Sequence, residues 1–375
     1  MTKGRSFKQA IRRRARAAGK SYTEVLAALQ TDEAAGRVDA ATRWHAAESL
    51  PGHLESRYGI RVDSVARLSP HGAGVFRVAR TDGPAWVARI FPPGSRSDDR
   101  IAGDAEILRF LEAHAFPAER CAHAEPISTH EGQQVLVTTF VPGRPGEVTA
   151  EHEGALAAAL GRLHALPAGT GAATRAGGAF GHDPHHEGTP GRDLDAALGF
   201  LDAVAPQVQG NGLRILEALQ AEIVQADRCD DLPEALTTPN VGDRDVIVSA
   251  DGERVFVDWK PAGRGARLPA LAFLLHAALR RAHPAEAPSR SGPDVAIVEA
   301  IVSSYSRHVK LEAVELTRLP GAMRIHPYYF AAWYYWRAVA NGRTPDGTEG
   351  WWPNHELTDA LADLAARKLA VRGRS

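Results

Sequence analysis

Between Val62 and Val141 apolar and polar positions alternate in short runs. Val62–Leu68 and Val75–Arg80 repeat with period two and are predicted as strands joined through Ser69-Pro70-His71-Gly72-Ala73-Gly74. Trp86–Phe91 is a more continuously apolar strand carrying one cation, Arg89. From Ile101 to His114 the period lengthens to that of a helix, with Ile107, Leu108, Phe110 and Leu111 turned inward and Glu106 among them. Gln134–Pro142 returns to a strand and stops at the Pro142-Gly143 turn. Beyond that point helical patterns dominate, over 153–166, 194–204, 211–229 and 270–283.

One stretch interrupts the helices. Leu236–Gly265 reads as a small polar loop, the strand Val246-Ile247-Val248, an Asp251-Gly252 turn, the strand Val255-Phe256-Val257 and then the acid Asp258. Short apolar strands flanking Asp-Gly form a hairpin signal. Such a hairpin presents the loop before it and the acid after it at the same edge. Phosphoryl-transfer sites of the kinase type need loop and acid arranged this way.

The first forty residues differ from the rest. Residues 6–18 have helical character and carry Arg12, Arg13, Arg14 and Arg16 before a Gly19 stop. Ser21 and Glu24 form a capping-box pattern opening a second helix to about Ala35, and a third is predicted over 40–58. The first twenty residues hold eight basic side chains and no acidic one. Two readings stay open: an arm that engages nucleic acid or protein, and a solvated or docked basic tail.

Composition narrows the rest. A chain of 375 residues allows two domains or one large two-lobed one. The formal net charge of −1 argues against a body built for nucleic acid, leaving the N-terminal arm as the one candidate. Two cysteines, Cys121 and Cys229, make a disulfide framework unexpected and point to a reducing cytoplasm. No apolar run reaches the length of a membrane span, and no apolar core follows the basic start as a secretory signal requires.

The loop and hairpin resemble those of the aminoglycoside phosphotransferase and choline-kinase-like family. That family reads H-G-D-x-x-x-x-N-hydrophobic and then hydrophobic-D-W/F. Here the same spacing holds Thr238-Pro239-Asn240, four residues, Asp245, and later Val257-Asp258-Trp259. The resemblance covers roughly residues 40–340. It implies an α+β, two-lobed protein-kinase-like fold: a small antiparallel-sheet lobe over 40–143 and a larger helical lobe over 144–375, preceded by the helical extension 1–39.

The resemblance also implies an ATP-dependent phosphotransferase using Mg²⁺ and a small-molecule hydroxyl acceptor. Gly72 and Gly74 would let backbone amides cover the phosphates, and Arg89 would meet them, fixed by an ion pair to Glu106. From the residues alone, an outward Arg89 and an exposed Glu106 read as well. Backbone groups at Thr139 to Val141 would meet the adenine edge. Asn240 and Asp258 take catalytic positions, and Asp245 and Asp258 take the metal positions.

The residue types at the loop have changed places. The expected base is Asn240, and the expected metal-binding Asn is Asp245. Asn accepts a hydrogen bond from a hydroxyl but takes no proton. Two function classes therefore compete: a slow phosphotransferase, and a nucleotide-binding pseudokinase acting through conformation or partners. Both acids of the family's G-D-P-x-x-D-L-A pattern are also missing from Gly265-Ala266-Arg267-Leu268-Pro269. His164 ends a helix in the family's L-x-x-L-H manner and reads as structural. His182, Asp183, His185, His186 and Glu187 fall between Pro and Gly residues and read as a loop more than a metal cluster. The aromatic run Tyr328–Trp336 reads as core packing, with a cation cage as the alternative.

Overall fold

A computed structural model describes residues 48–68, 74–91, 96–180, 188–239, 241–242, 245–280, 292–345 and 353–372. The basic arm, Gly72, Asn240 and the histidine-rich residues 182–187 lie outside these ranges. The described chain forms two compact units. The first runs to Ala105 and adds Arg120–Phe140 and Val204–Val208; the second takes Glu106–Glu119, Val141–Ala203 and Gln209 onward.

The first unit is built on a five-stranded antiparallel sheet of β1 (Val62–Arg67), β2 (Val75–Arg80), β3 (Trp86–Phe91), β4 (Ile127–His130) and β5 (Gln133–Thr139), in the order β1-β2-β3-β5-β4. The central strands β3 and β5 are the most continuously apolar, as strands covered on both faces must be. Val135 and Val137 share a buried cluster with Leu50 and Leu54 of helix α1 (48–58), four residues apart on one helical face. Leu136, pointing to the opposite face, packs with Ile101 and Ala105 of helix α2 (Asp98–Ala113). Period two in β5 thus serves two helices at once.

The second unit is mainly helical. It holds α3 (Ala150–His164), α4 (Arg192–Val204), α5 (Gly210–Gln225), α6 (Leu268–Leu275), α7 (Ala277–Arg280), α8 (Val295–Tyr305), α9 (Ala313–Ala340) and α10 (His355–Arg372). The Thr149 hydroxyl caps α3 by accepting from the His152 N–H at 3.1 Å. Gly161 lets α3 lie close to α8, since a Cβ there would stand 3.0 Å from the Tyr305 carbonyl oxygen. The predicted helix 270–283 starts at Leu268 and is broken after Leu275. Among the described residues no helix is long and apolar enough to cross a membrane.

Two small sheets sit among these helices. β6 (Arg144–Pro145), β8 (Val246–Val248) and β9 (Arg254–Phe256) form one, and β7 (Glu234–Thr237) pairs with β10 (Gly263–Ala266) in the other. The β8–β9 turn closes as the Asp-Gly signal predicts. Ser249 N–H donates to the Glu253 carbonyl at 2.9 Å, and Gly252 takes φ +84°, the left-handed region glycine enters without penalty.

Candidate active site

The hairpin brings two of the predicted acids to one end. Val246 pairs with Phe256, and beyond that pair the Val257 N–H donates to the Asp245 carbonyl at 2.9 Å. Asp245 therefore stands opposite Val257, and Asp258 follows directly. Both aspartates are half-buried. Asp258 has φ +61°, a left-handed conformation that bulky L-residues avoid and that clusters at functional positions.

Asp258 is held from several sides. Its N–H donates to the buried Glu119 carboxylate at 2.7 Å. Trp259, buried beside it, donates its indole N–H to the Phe256 carbonyl at 3.1 Å. After it, the Arg175 guanidinium donates to the Lys260 and Ala262 carbonyls at 3.2 and 3.0 Å. Gly177 is required in that clamp, because a Cβ there would meet the Gly263 backbone at 2.2 Å.

The end of β7 is tied to α3. His164, at the end of α3, joins Thr237 Oγ1 at 3.2 Å through Nε2 and Tyr305 Oη at 2.8 Å through Nδ1. One ring nitrogen donates and the other accepts, so the neutral imidazole suits both partners. Burial pulls the His164 pKa from its ordinary 6.5 down to about 3. Because the folded value lies below the unfolded one, the unfolded chain takes up a proton that the folded chain refuses. This contribution to stability is complete above about pH 6.5 and is lost as pH falls, by about 1.4 kcal/mol per unit. Urea unfolding at pH 7 and pH 5.5 is expected to show the wild type losing about 1 kcal/mol more than His164→Gln. Equal losses in the two proteins would show that His164 does not titrate this way.

The other predicted residues are placed as follows. Gly74 opens β2 with φ +73° and approaches β3 so closely that a Cβ would stand 2.4 Å from the Ile90 oxygen, so only glycine fits. Arg89 lies half-buried on β3. Thr139 ends β5 with its N–H donating to the Arg120 carbonyl at 2.8 Å, and Val141 follows in an irregular segment. Glu106 is exposed on α2, where a Cβ on Gly171 would lie 3.1 Å from its carboxylate. Arg89 and Glu106 fall in different units.

The buried acid of α2 is Asp104, whose carboxylate accepts from Arg96 at 2.9 Å with both side chains almost fully enclosed. Helical spacing could have found it: 101, 104, 105 and 108 share a face, while 106 lies on the other side. After β10, where the family's acids are missing, the chain carries Arg267. Arg267 makes a two-pronged pair with the fully buried Glu315, at 2.8 and 2.7 Å.

A cluster of rings lies beside Gly242. A Cβ on Gly242 would touch the Phe273 ring at 3.9 Å. Phe273 and Phe180 both meet His326 edge-on, with centroids 4.9 and 4.8 Å apart. His326 lies 3.6 Å from the Asp193 carboxylate, and both are buried. Burial drives Asp193 up and His326 down, each toward its neutral form. The run Tyr328–Trp336 is largely core: Tyr328, Tyr329 and Tyr335 are buried, and Tyr335 donates to the Gly212 carbonyl at 2.8 Å.

Two carboxylates are what Mg²⁺ commonly takes from protein when phosphates and water complete its shell. Among the described residues no group of three or more His, Cys, Asp and Glu could hold a metal alone. Asp245 and Asp258 are a donor set of that two-carboxylate kind.

Known structures share the fold. The amicoumacin kinase hAmiN, solved with AMP-PNP, Ca²⁺ and Ami, superposes with a TM-score of 0.57 at 13% identity, over 86% of this chain and 93% of that one. An aminoglycoside phosphotransferase from Alicyclobacillus acidocaldarius gives 0.52 at 13% identity, over 86% and 95%. The choline kinase LicA from Streptococcus pneumoniae gives 0.51 at 13% identity, over 87% and 99%. No curated protein sequence matches this chain. The phosphotransferase enzyme family model, APH, matches residues 67–306, more than half of the molecule. With a kinase-like sheet unit, a helical unit and that match, the chain belongs to the APH phosphotransferase family.

Proposed function

We propose that this protein is an ATP-dependent phosphotransferase that moves the γ-phosphate to a hydroxyl of a small molecule, slowly because Asn240 occupies the base position. The observation that carries this reading is the hairpin end, where Asp245 and a left-handed Asp258 come together. Those two carboxylates would hold Mg²⁺ with the nucleotide. The ion, when bound, neutralises charge on the transferring phosphate. Gly74 would leave room for the phosphates and Arg89 would add a cation. Thr139 to Val141 would offer backbone groups to the adenine. Asn240 would orient the acceptor hydroxyl, whose proton leaves to solvent as the new P–O bond forms and the bond to ADP breaks.

The reaction tolerates a missing base because its transition state is loose and depends mainly on positioning and charge neutralisation. Losing the base costs about 10²–10⁴ in rate, not the reason to bind nucleotide. Asn240 also favours a second reading, a pseudokinase that binds nucleotide and signals by conformation. Acceptor-dependent ADP release separates the two. An ATP-using reaction and a chain of only two cysteines suit the cytoplasm.

Both readings require nucleotide binding to the folded state. MgATP is expected to raise the melting temperature, by the linkage between ligand affinity and stability. At one hundred times the dissociation constant the gain is about 2.7 kcal/mol. A folded protein whose melting point does not move in millimolar MgATP would remove both readings together.

A further inference from the structure

The segment that leaves α2 is built into the hairpin. Ala115 takes φ +51° and the Phe116 N–H returns to the Leu111 carbonyl at 2.9 Å, which stops the helix. Phe116, buried, then packs its ring 5.6 Å from both Phe256 and Trp259. Ala118 forms a parallel bridge with Phe256. In that bridge the Phe256 N–H donates to Pro117 at 2.8 Å, and the Glu119 N–H donates to Phe256 at 2.9 Å. Residues 116–119 thus act as an extra edge on β9, and the register delivers Glu119 beside Asp258.

Glu119 is 2% exposed, and one carboxylate oxygen accepts the Asp258 N–H at 2.7 Å. A charged acceptor on a backbone N–H gives a short, strong bond. Asp258 is the one metal-position residue whose backbone is left-handed, at φ +61°. Such a conformation persists only where its surroundings enforce it. With the flanking chain held in place, Asp258 leaves the left-handed region by a flip of the Val257–Asp258 peptide, and that flip would turn the Asp258 N–H away from Glu119.

We propose that Glu119 is a positioning residue for the reaction: by holding the Asp258 N–H, it locks that aspartate in the left-handed conformation that presents its carboxylate for Mg²⁺ and nucleotide. This inference rests on the reading of Asp258 as a metal ligand. It makes the end of α2 part of the metal site's support, because the chain from Phe116 to Glu119 sets the Asp258 backbone.

The test separates metal from nucleotide. ATP binding is measured by calorimetry in excess Mg²⁺ and again in EDTA, for wild type, Glu119→Ala, Glu119→Asp and Glu119→Gln. Partners that orient a metal ligand typically contribute about 10- to 100-fold in affinity. Glu119→Ala is expected to lose about that much of the Mg²⁺-dependent gain while its binding in EDTA is unchanged. Glu119→Gln retains an Oε1 acceptor at the same reach and is expected to restore most of the gain. Glu119→Asp keeps the charge but withdraws it by one methylene, so it is expected to behave like alanine; it decides the matter if the alanine variant does not fold. Wild-type Mg²⁺ dependence in Glu119→Asp or Glu119→Ala would overturn the proposal and leave the phosphotransferase reading standing. A wild type with no Mg²⁺-dependent gain would instead remove the reading of Asp258, and this inference with it.

Discussion

Replacing Asp258 with alanine is expected to abolish the Mg²⁺-dependent part of nucleotide binding, leaving the weaker metal-free binding in place. Replacing Asp245 is expected to weaken that part without removing it. The difference follows from how each residue is held. Asp258 sits in a left-handed conformation with its N–H fixed by Glu119 at 2.7 Å and a buried Trp259 behind it. That arrangement costs backbone energy, on the order of 1–3 kcal/mol for a non-glycine residue. Asp245 has no left-handed backbone: its N–H donates to the Gly242 carbonyl at 3.1 Å, and its carbonyl is already used by Val257. Calorimetric titration of ATP with and without Mg²⁺ reads both effects. If Asp258→Ala binds MgATP as the wild type does, the alignment of the hairpin with a metal site is wrong.

Restoring a carboxylate at the base position should produce the largest change in rate. Asn240→Asp is expected to raise turnover, by at most the ~10²–10⁴ that a positioned general base contributes. Asp245 adds a second negative charge nearby, which opposes part of that gain. The double exchange Asn240→Asp with Asp245→Asn returns both residue types to the family's order and should therefore exceed the single variant. ADP formation is measured for the three proteins against a panel of amino-alcohol and sugar acceptors. In a pseudokinase all three stay at background, because acceptor positioning is lost along with the base. A wild type at full kinase speed that slows on Asn240→Asp would mean that position 240 is not a disabled base.

The order of elements was legible in the chain because each carries its own period. Alternation in β2, the apolar runs of β3 and β5 and the Asp251-Gly252 turn are local signals, and the residues that make them are neighbours in sequence. The spacing from Asn240 through Asp245 to Asp258 likewise survives as a linear pattern, and it led to the family without help from packing. The exchange of residue types at 240 and 245 was visible in the same way.

What the tertiary structure decided are pairings between distant residues. Glu119 is separated from Asp258 by 139 positions, and His164 from Tyr305 by 141. No period marks such a partner, since a lone acid after a helix looks the same whether it meets solvent or a backbone N–H. Helix α2 shows the middle case. Its sequence holds both Asp104 and Glu106, and the helical period alone puts Asp104 on the buried side, but only the fold supplies Arg96 as its partner. The missing acids after β10 read as a loss in the chain, while only the fold pairs Arg267 there with the fully buried Glu315, 48 residues on. By itself the sequence determined the fold class, the family and the acids of the hairpin, because these rest on local periodicity and fixed spacing. The left-handed backbone of Asp258 and the carboxylate that bonds its N–H were shown only by the tertiary structure, because no local period or turn signal at Asp258 marks either the φ angle or an acceptor 139 positions away.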